Sequence, residues 1–139
     1  MLAVPRIKMN WLFAPLCTVL AMLPQTAFSD EIRHPVFPSA IVGTWGETAE
    51  KCNAKDGSNV EISPGKYADE TGTCEVRWIV MTAGGGGITN YAAHSLCTSA
   101  KDVTKTEIVD IIVRPQGSGR AAMGRSFNDL KTYQRCSAE

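Results

Sequence analysis

The chain of 139 residues carries 14 Lys and Arg against 14 Asp and Glu, and 44 % of it is hydrophobic. A balanced charge argues against general nucleic-acid binding, which depends on a marked positive excess. The length is that of one small domain, with no room for two cores.

The N-terminal stretch "MLAVPRIKMNWLFAPLCTVLAMLPQTAFSD" opens with Arg6 and Lys8 and runs through the apolar segment Trp11 to Leu23 before turning small and polar. That order predicts a secretory signal peptide over residues 1–29, with Ala27 and Ser29 at the small-x-small positions and cleavage after Ser29; cleavage after Ala27 is the rival. The apolar run of 13 residues is short of the roughly 20 that cross a bilayer, so no stable membrane insertion is expected after cleavage. Cys17 lies in "APLC", which lacks the small residues preceding a lipoprotein cysteine, and is expected to leave with the signal. The remaining 110 residues hold all 14 acids and 12 bases, a formal charge of minus two. Residues 46–75 contain seven acids against three lysines, whereas residues 114–135 contain five bases against Asp129, so the domain could be electrically two-sided.

Residues 30–40, "DEIRHPVFPSA", read as a flexible leader, and residues 41–139 as a single β domain. "AIVGTW" (40–45) is a first candidate strand. "GETAEKC" (46–52) is the one short helix, with Thr48 as its cap. "NVEIS" (59–63) alternates Val60 and Ile62 and ends at Pro64-Gly65. "CEVRWIVM" (74–81) sets Val76, Trp78 and Val80 on one face against Glu75, Arg77 and Ile79 on the other. "AAHSLCT" (92–98) is a further strand. "TEIVDIIV" (106–113), rich in branched apolar residues, reads as a central buried strand whose Asp110 must face outward or be paired. "GRAAMG" (119–124) and "KTYQRC" (131–136) complete the series. Short strands separated by Gly, Pro, Asn and Asp predict an all-β fold, a small antiparallel β-barrel or strongly curled sheet. Trp45, Trp78, Tyr67, Tyr91, Phe127 and Tyr133 are assigned to its core.

Four cysteines follow the signal: Cys52, Cys74, Cys97 and Cys136. An even count in an exported chain predicts two disulfides stabilising the domain. Three pairings are open; Cys52 with Cys74 and Cys97 with Cys136 is preferred because each bond then ties consecutive strand regions. Neither C-x-x-C nor a zinc spacing occurs, and no metal or cofactor is expected. The run "MTAGGGGITN" (81–90) fails the G-x-G-x-x-G pattern at Thr89 and reads as a hairpin connection. His94, Ser95 and Asp110 could be drafted as a triad, but neighbours in a strand point to opposite faces. No catalytic residue is assigned.

What remains is "RPQGSGR" (114–120). Pro115 restricts the backbone, Gly117 and Gly119 allow reversal, Arg114 and Arg120 can hold carboxylates, and Ser118 can donate or accept. An ordinary hairpin turn with solvated arginines is the local alternative. Export, a mature length near 110, the β pattern, Gly-x-Trp near the start and a cysteine near the C-terminus together resemble small periplasmic proteins, among them the inhibitors of c-type lysozyme. That resemblance implies a small barrel whose Ser-Gly loop, here Ser118-Gly119, enters the acidic lysozyme cleft, assisted by a lysine, for which Lys131 is the nearest position. Lys131 lacks the following glycine of the membrane-bound branch, and "RAAMG" replaces the aromatic residue expected after Ser-Gly. The implied location is periplasmic or secreted and the implied partner a protein. A non-inhibitory envelope-associated module and a carbohydrate- or small-ligand-binding barrel are the competing readings.

Overall fold

The computed structural model describes residues 31–137; the signal peptide expected over 1–29 lies outside them. Among these residues nine strands form: β1 (Arg33–His34), β2 (Gly43–Gly46), β3 (Val60–Ser63), β4 (Lys66–Asp69), β5 (Gly72–Ala83), β6 (Thr89–Ser99), β7 (Thr106–Gly117), β8 (Arg120–Gly124) and β9 (Lys131–Arg135). Strands β2 to β9 pair antiparallel in succession, and β2 returns to β9, closing an eight-stranded barrel. Closure removes the free edges that an open sheet of these strands would expose. The helix expected at 46–52 is present as α1 (Ala49–Cys52), capped by the Thr48 hydroxyl, which accepts from the Lys51 amide.

The interior is filled by alternate residues of the strands. Val60 and Ile62 point in from β3, Ala93, Ser95 and Cys97 from β6, Ile111 and Val113 from β7, and Ala121 and Met123 from β8. Among the described residues, Ser95 is the one buried polar side chain, and its hydroxyl donates to the Ala93 carbonyl at 3.1 Å. Trp45 and Tyr67 are core aromatics as expected, and Tyr91 and Tyr133 pack against them from partly buried positions.

Two side-chain placements are corrected. In β5, Val76 pairs with Ser95 but Trp78 pairs with His94, so Arg77 is an extra residue in a bulge. A bulge reverses the alternation beyond it. Ile79 therefore enters the core, and Trp78 moves to the outer wall. Phe127 is likewise not a core residue: it is 57 % exposed in the turn after β8. Residues 31–40 lie against the barrel at several points. Arg33 and His34 pair with Val80 and Ile79, covering the part of β5 that runs past β4, and Phe37 is buried with its amide donating to the Pro64 carbonyl.

The cysteines pair Cys52 with Cys136 and Cys74 with Cys97, not in the preferred order. Cys74 and Cys97 are direct cross-strand partners in the β5–β6 ladder. Cys52 follows β2 and Cys136 follows β9, and closure makes those strands neighbours. A bond between consecutive regions is what an open meander would favour; the barrel instead brings its first and last strands together.

The two bonds should differ in worth. On loop-closure entropy, cross-links spanning 84 and 23 residues are worth about 4.5 and about 3.5 kcal/mol respectively. Urea unfolding of the Cys52→Ala/Cys136→Ala and Cys74→Ala/Cys97→Ala proteins checks this. The first pair should lose more stability, by about 1 kcal/mol; the opposite order would show that the seam is held by other means.

Candidate functional site

Because the strands run up and down, the barrel has two mouths. One gathers the β5–β6 turn, the β7–β8 turn, the approach to β2 and the end of β9. The other gathers the β4–β5, β6–β7 and β8–β9 turns with α1.

The expected recognition loop is shorter than the sequence suggests. Residues 114–117 belong to β7, with Arg114 opposite Ala122 and Gly117 opposite Arg120, leaving Ser118 and Gly119 as a two-residue turn. Pro115 lies beyond the last β6–β7 pair, at Val113, and at the irregularity of the β7–β8 ladder between Pro115 and Gly117, the kind of position where a strand proline is tolerated. Gly117, Ser118 and Gly119 have φ of 77°, 51° and 68°. Positive φ at both central residues is the requirement of a type I′ hairpin turn, whose twist matches its strands. Among the described residues, Ser118 is the one non-glycine with positive φ. The Gly119 carbonyl accepts from the Arg135 amide at 2.7 Å, which ties the turn to β9.

The residues predicted to act with Ser118 are placed unequally. Arg120 is exposed beside the turn and, among the described residues, makes no ion pair or side-chain hydrogen bond. Arg114 is committed elsewhere: its Nε donates to Asn90 Oδ1 at 3.1 Å, and its guanidinium lies 5.5 Å from the Phe127 ring centre. Lys131 does not join them. It begins β9 opposite Met123, three residues before Gln134, the partner of Arg120, and thus roughly 10 Å along the strand. There it pairs with Glu47 at 3.2 Å, and that carboxylate raises its pKa.

The turn borders a concavity of about 430 Å³ at its own mouth. Its floor includes the buried Ile41 and Trp45, its walls include Tyr91, Ile88 and Pro115, and Arg120 and Arg135 stand at its edge. The guanidinium of Arg135 lies 4.5 Å from the Trp45 ring centre, donates to Val42 O at 2.7 Å and also reaches Ala40 O. Trp45 in turn donates its indole N–H to Ile41 O at 3.1 Å. Arg135 was not among the expected site residues. Its available signal was the pairing of Gly-x-Trp near the start with Arg-Cys near the end, a relation that becomes legible only when β2 and β9 are known to touch.

The other groupings are built differently. His94 Nδ1 and Asp110 Oδ1 are 2.8 Å apart, with Trp78 stacked on the imidazole at 4.2 Å and Arg33 on Trp78 at 4.5 Å. All four lie on the outer wall, while Ser95 points into the core, so His94, Ser95 and Asp110 do not converge. This stack clasps β1 to β5. The opposite mouth has concavities of about 860 and 610 Å³ with mixed charge, including Glu47, Glu70, Lys51 and Arg125. Burial raises the phenol pKa of Tyr67 there, and Asp69 adds to the effect; Tyr133 is raised by burial and by Glu47. Arg125 is spent on Glu107 at 2.9 Å and Thr71 at 2.6 Å. Among the described residues, no group of three or more His, Cys, Asp or Glu is placed to hold a metal ion, and no helix is long and apolar enough to cross a membrane.

Comparison of the chain with protein families, with curated proteins and with solved structures returns no match.

The clamp at this mouth can be tested by replacing Arg135. Arg135→Ala should cost about 1–2 kcal/mol, from the lost stacking and two charge-assisted hydrogen bonds at an exposed site. Arg135→Lys should restore less than half, because an ammonium cannot stack flat and reach two carbonyls together. Thermal unfolding reads both; full rescue by lysine would reduce the clamp to simple charge.

Proposed function

We propose that the protein is an exported, non-catalytic binding module that recognises a carboxylate-lined protein surface through Ser118, Gly119 and Arg120, with c-type lysozyme as the first partner class to test. The observation that carries this reading is the turn itself. A serine held at φ 51° between two glycines is exposed at a tip, anchored by the Arg135 amide and flanked by an arginine with no partner among the described residues. Backbone of this kind is strained for a non-glycine residue, and such strain is concentrated at ligand-contacting positions. The short ladder beneath it fixes direction, so little ordering entropy is lost on docking.

The chemistry fits an acidic cleft. A glycosidase cleft presents a general acid and a second carboxylate. Ser118 can donate to one carboxylate, and the planar guanidinium of Arg120 can hold another with two parallel N–H bonds. Occupation by the turn would exclude carbohydrate without any reaction. The lysine contribution implied by resemblance to lysozyme inhibitors is not part of this proposal, since Lys131 faces Glu47 at the other mouth. The turn and Arg120 carry recognition alone.

Lysozyme turnover on a peptidoglycan substrate, measured with and without the protein at micromolar concentration, tests the partner. Inhibition is expected, weakened about tenfold or more by Arg120→Glu and about three- to tenfold by Ser118→Ala, the loss of one hydrogen bond to a charged group. Lys131→Glu should leave it unchanged. Absence of inhibition across c-type and g-type lysozymes would remove lysozyme as the partner. Capture of any envelope protein to an equal degree by the Arg120→Glu protein would remove the turn as the recognition element.

A further inference from the structure

Resting on the reading that this mouth is a binding surface, we infer that the concavity beside the turn is a subsite for a carboxylate carried on an apolar body, which on a protein partner is an acidic residue next to an aromatic or branched one. The volume of about 430 Å³ lies within the roughly 300–1,000 Å³ of small-ligand sites and suits one large side chain with its neighbouring backbone. Ile41, Trp45, Tyr91 and Pro115 give it an apolar body. Two arginines line it and no Asp or Glu does. The opposite mouth is lined by acids, Glu47, Asp69, Glu70, Glu107 and Asp129, and by as many bases, Lys51, Lys101, Lys105, Arg125 and Lys131. The opposite mouth is thus mixed in charge, whereas this one presents cations with no lining carboxylate, and an anion is selected here.

The two arginines have separate tasks. Arg135 is fixed on Trp45 and spends two of its nitrogens on the Val42 and Ala40 carbonyls. No carboxylate among the described residues neutralises it, so its charge stands as a permanent field over the floor. Arg120 is exposed and free to close on the ligand with a bidentate contact. The Ser118 and Thr89 hydroxyls, which also line the space, complete the carboxylate's hydrogen bonding. The apolar part of the ligand covers the partly exposed Ile88, Tyr91 and Pro115, which lowers the local dielectric and strengthens the arginine contacts.

N-acetyl-phenylalanine is a suitable probe, with N-acetyl-phenylalanine amide and acetate as arms lacking the carboxylate and the apolar body. Titrations of the protein followed by amide NMR shifts should show the acid binding with a dissociation constant on the order of 1 mM, consistent with a ligand of this size. Shifts should centre on Gly117 to Arg120, Ile88, Thr89 and the Trp45 indole. Both comparison arms should bind at least about fivefold more weakly, and Arg120→Ala should weaken the acid by a similar factor. Equal binding of acid and amide, shifts centred on the opposite mouth, or no binding at about ten times the expected constant would each overturn the inference. If Arg120-dependent capture of a protein partner persists while acid and amide behave alike, the turn docks but the concavity is not its anionic subsite. If the acid binds as expected and partner capture ignores Arg120, the subsite stands and the docking turn does not.

Discussion

The Arg135 guanidinium over Trp45 joins the two ends of the domain, and the mouth that carries the Ser118-Gly119 turn depends on that contact. Trp45 lies on β2 and Arg135 is its register partner on β9, so the stack sits on the line along which the barrel closes. Gly43 is part of the same fitting. It has φ of +144°, and a Cβ there would come within 2.8 Å of Arg135 Nη1, so any side chain would push the guanidinium from its place. The Cys136 amide donates to the Thr44 carbonyl, and the disulfide to Cys52 follows at once. Bringing residues so distant in sequence together is entropically costly. Stacking, hydrogen bonds and a covalent link are concentrated where that cost falls.

The seam also determines what the mouth can present. The Arg135 backbone amide holds the Gly119 carbonyl while its side chain covers Trp45, so one residue supports both the turn and the floor of the adjoining concavity. A positive, apolar-floored mouth results, opposed by a mouth where Glu47, Asp69, Glu70 and Asp129 mingle with Lys51, Arg125 and Lys131. The basic segment 114–135 seen in the sequence is thus divided in space. Arg120 and Arg135 stay at the turn, while Arg125 and Lys131 are carried down the strands to acidic partners.

The barrel was legible because its signal is local. Alternation in "NVEIS" and "TEIVDIIV", glycine and proline between them, and a threonine before "AEKC" each report on a few neighbouring residues, and each corresponds to an observed element. Other features depend on contacts that no local window contains. Arg77 is an ordinary strand residue until the pairing of Val76 with Ser95 and of Trp78 with His94 makes it surplus, and only then does Trp78 leave the core. Strand β4, "KYAD", has too little alternation to stand out, yet Tyr67 is buried because β3 and β5 flank it. Of the two disulfides, Cys74–Cys97 joins consecutive strands, but Cys52–Cys136 follows closure of the barrel, which no local window contains. For the candidate site, Gly117 and Gly119 signal a reversal within 114–120, but its narrowing to Ser118-Gly119, the distance of Lys131 and the position of Arg135 all required the register of β7, β8 and β9.

Amide hydrogen exchange at Arg135 and Cys136 tests most directly whether the seam is a rigid support for the turn. Their amides donate to Gly119 and Thr44, and a firmly closed seam would open only with the barrel as a whole. Protection should then match that of the central β6–β7 amides, within about 1 kcal/mol of the global unfolding free energy. Exchange at the rate of exposed loops, with β6–β7 still protected, would mean that the barrel opens at β2–β9 in the native state and that the turn has no fixed base.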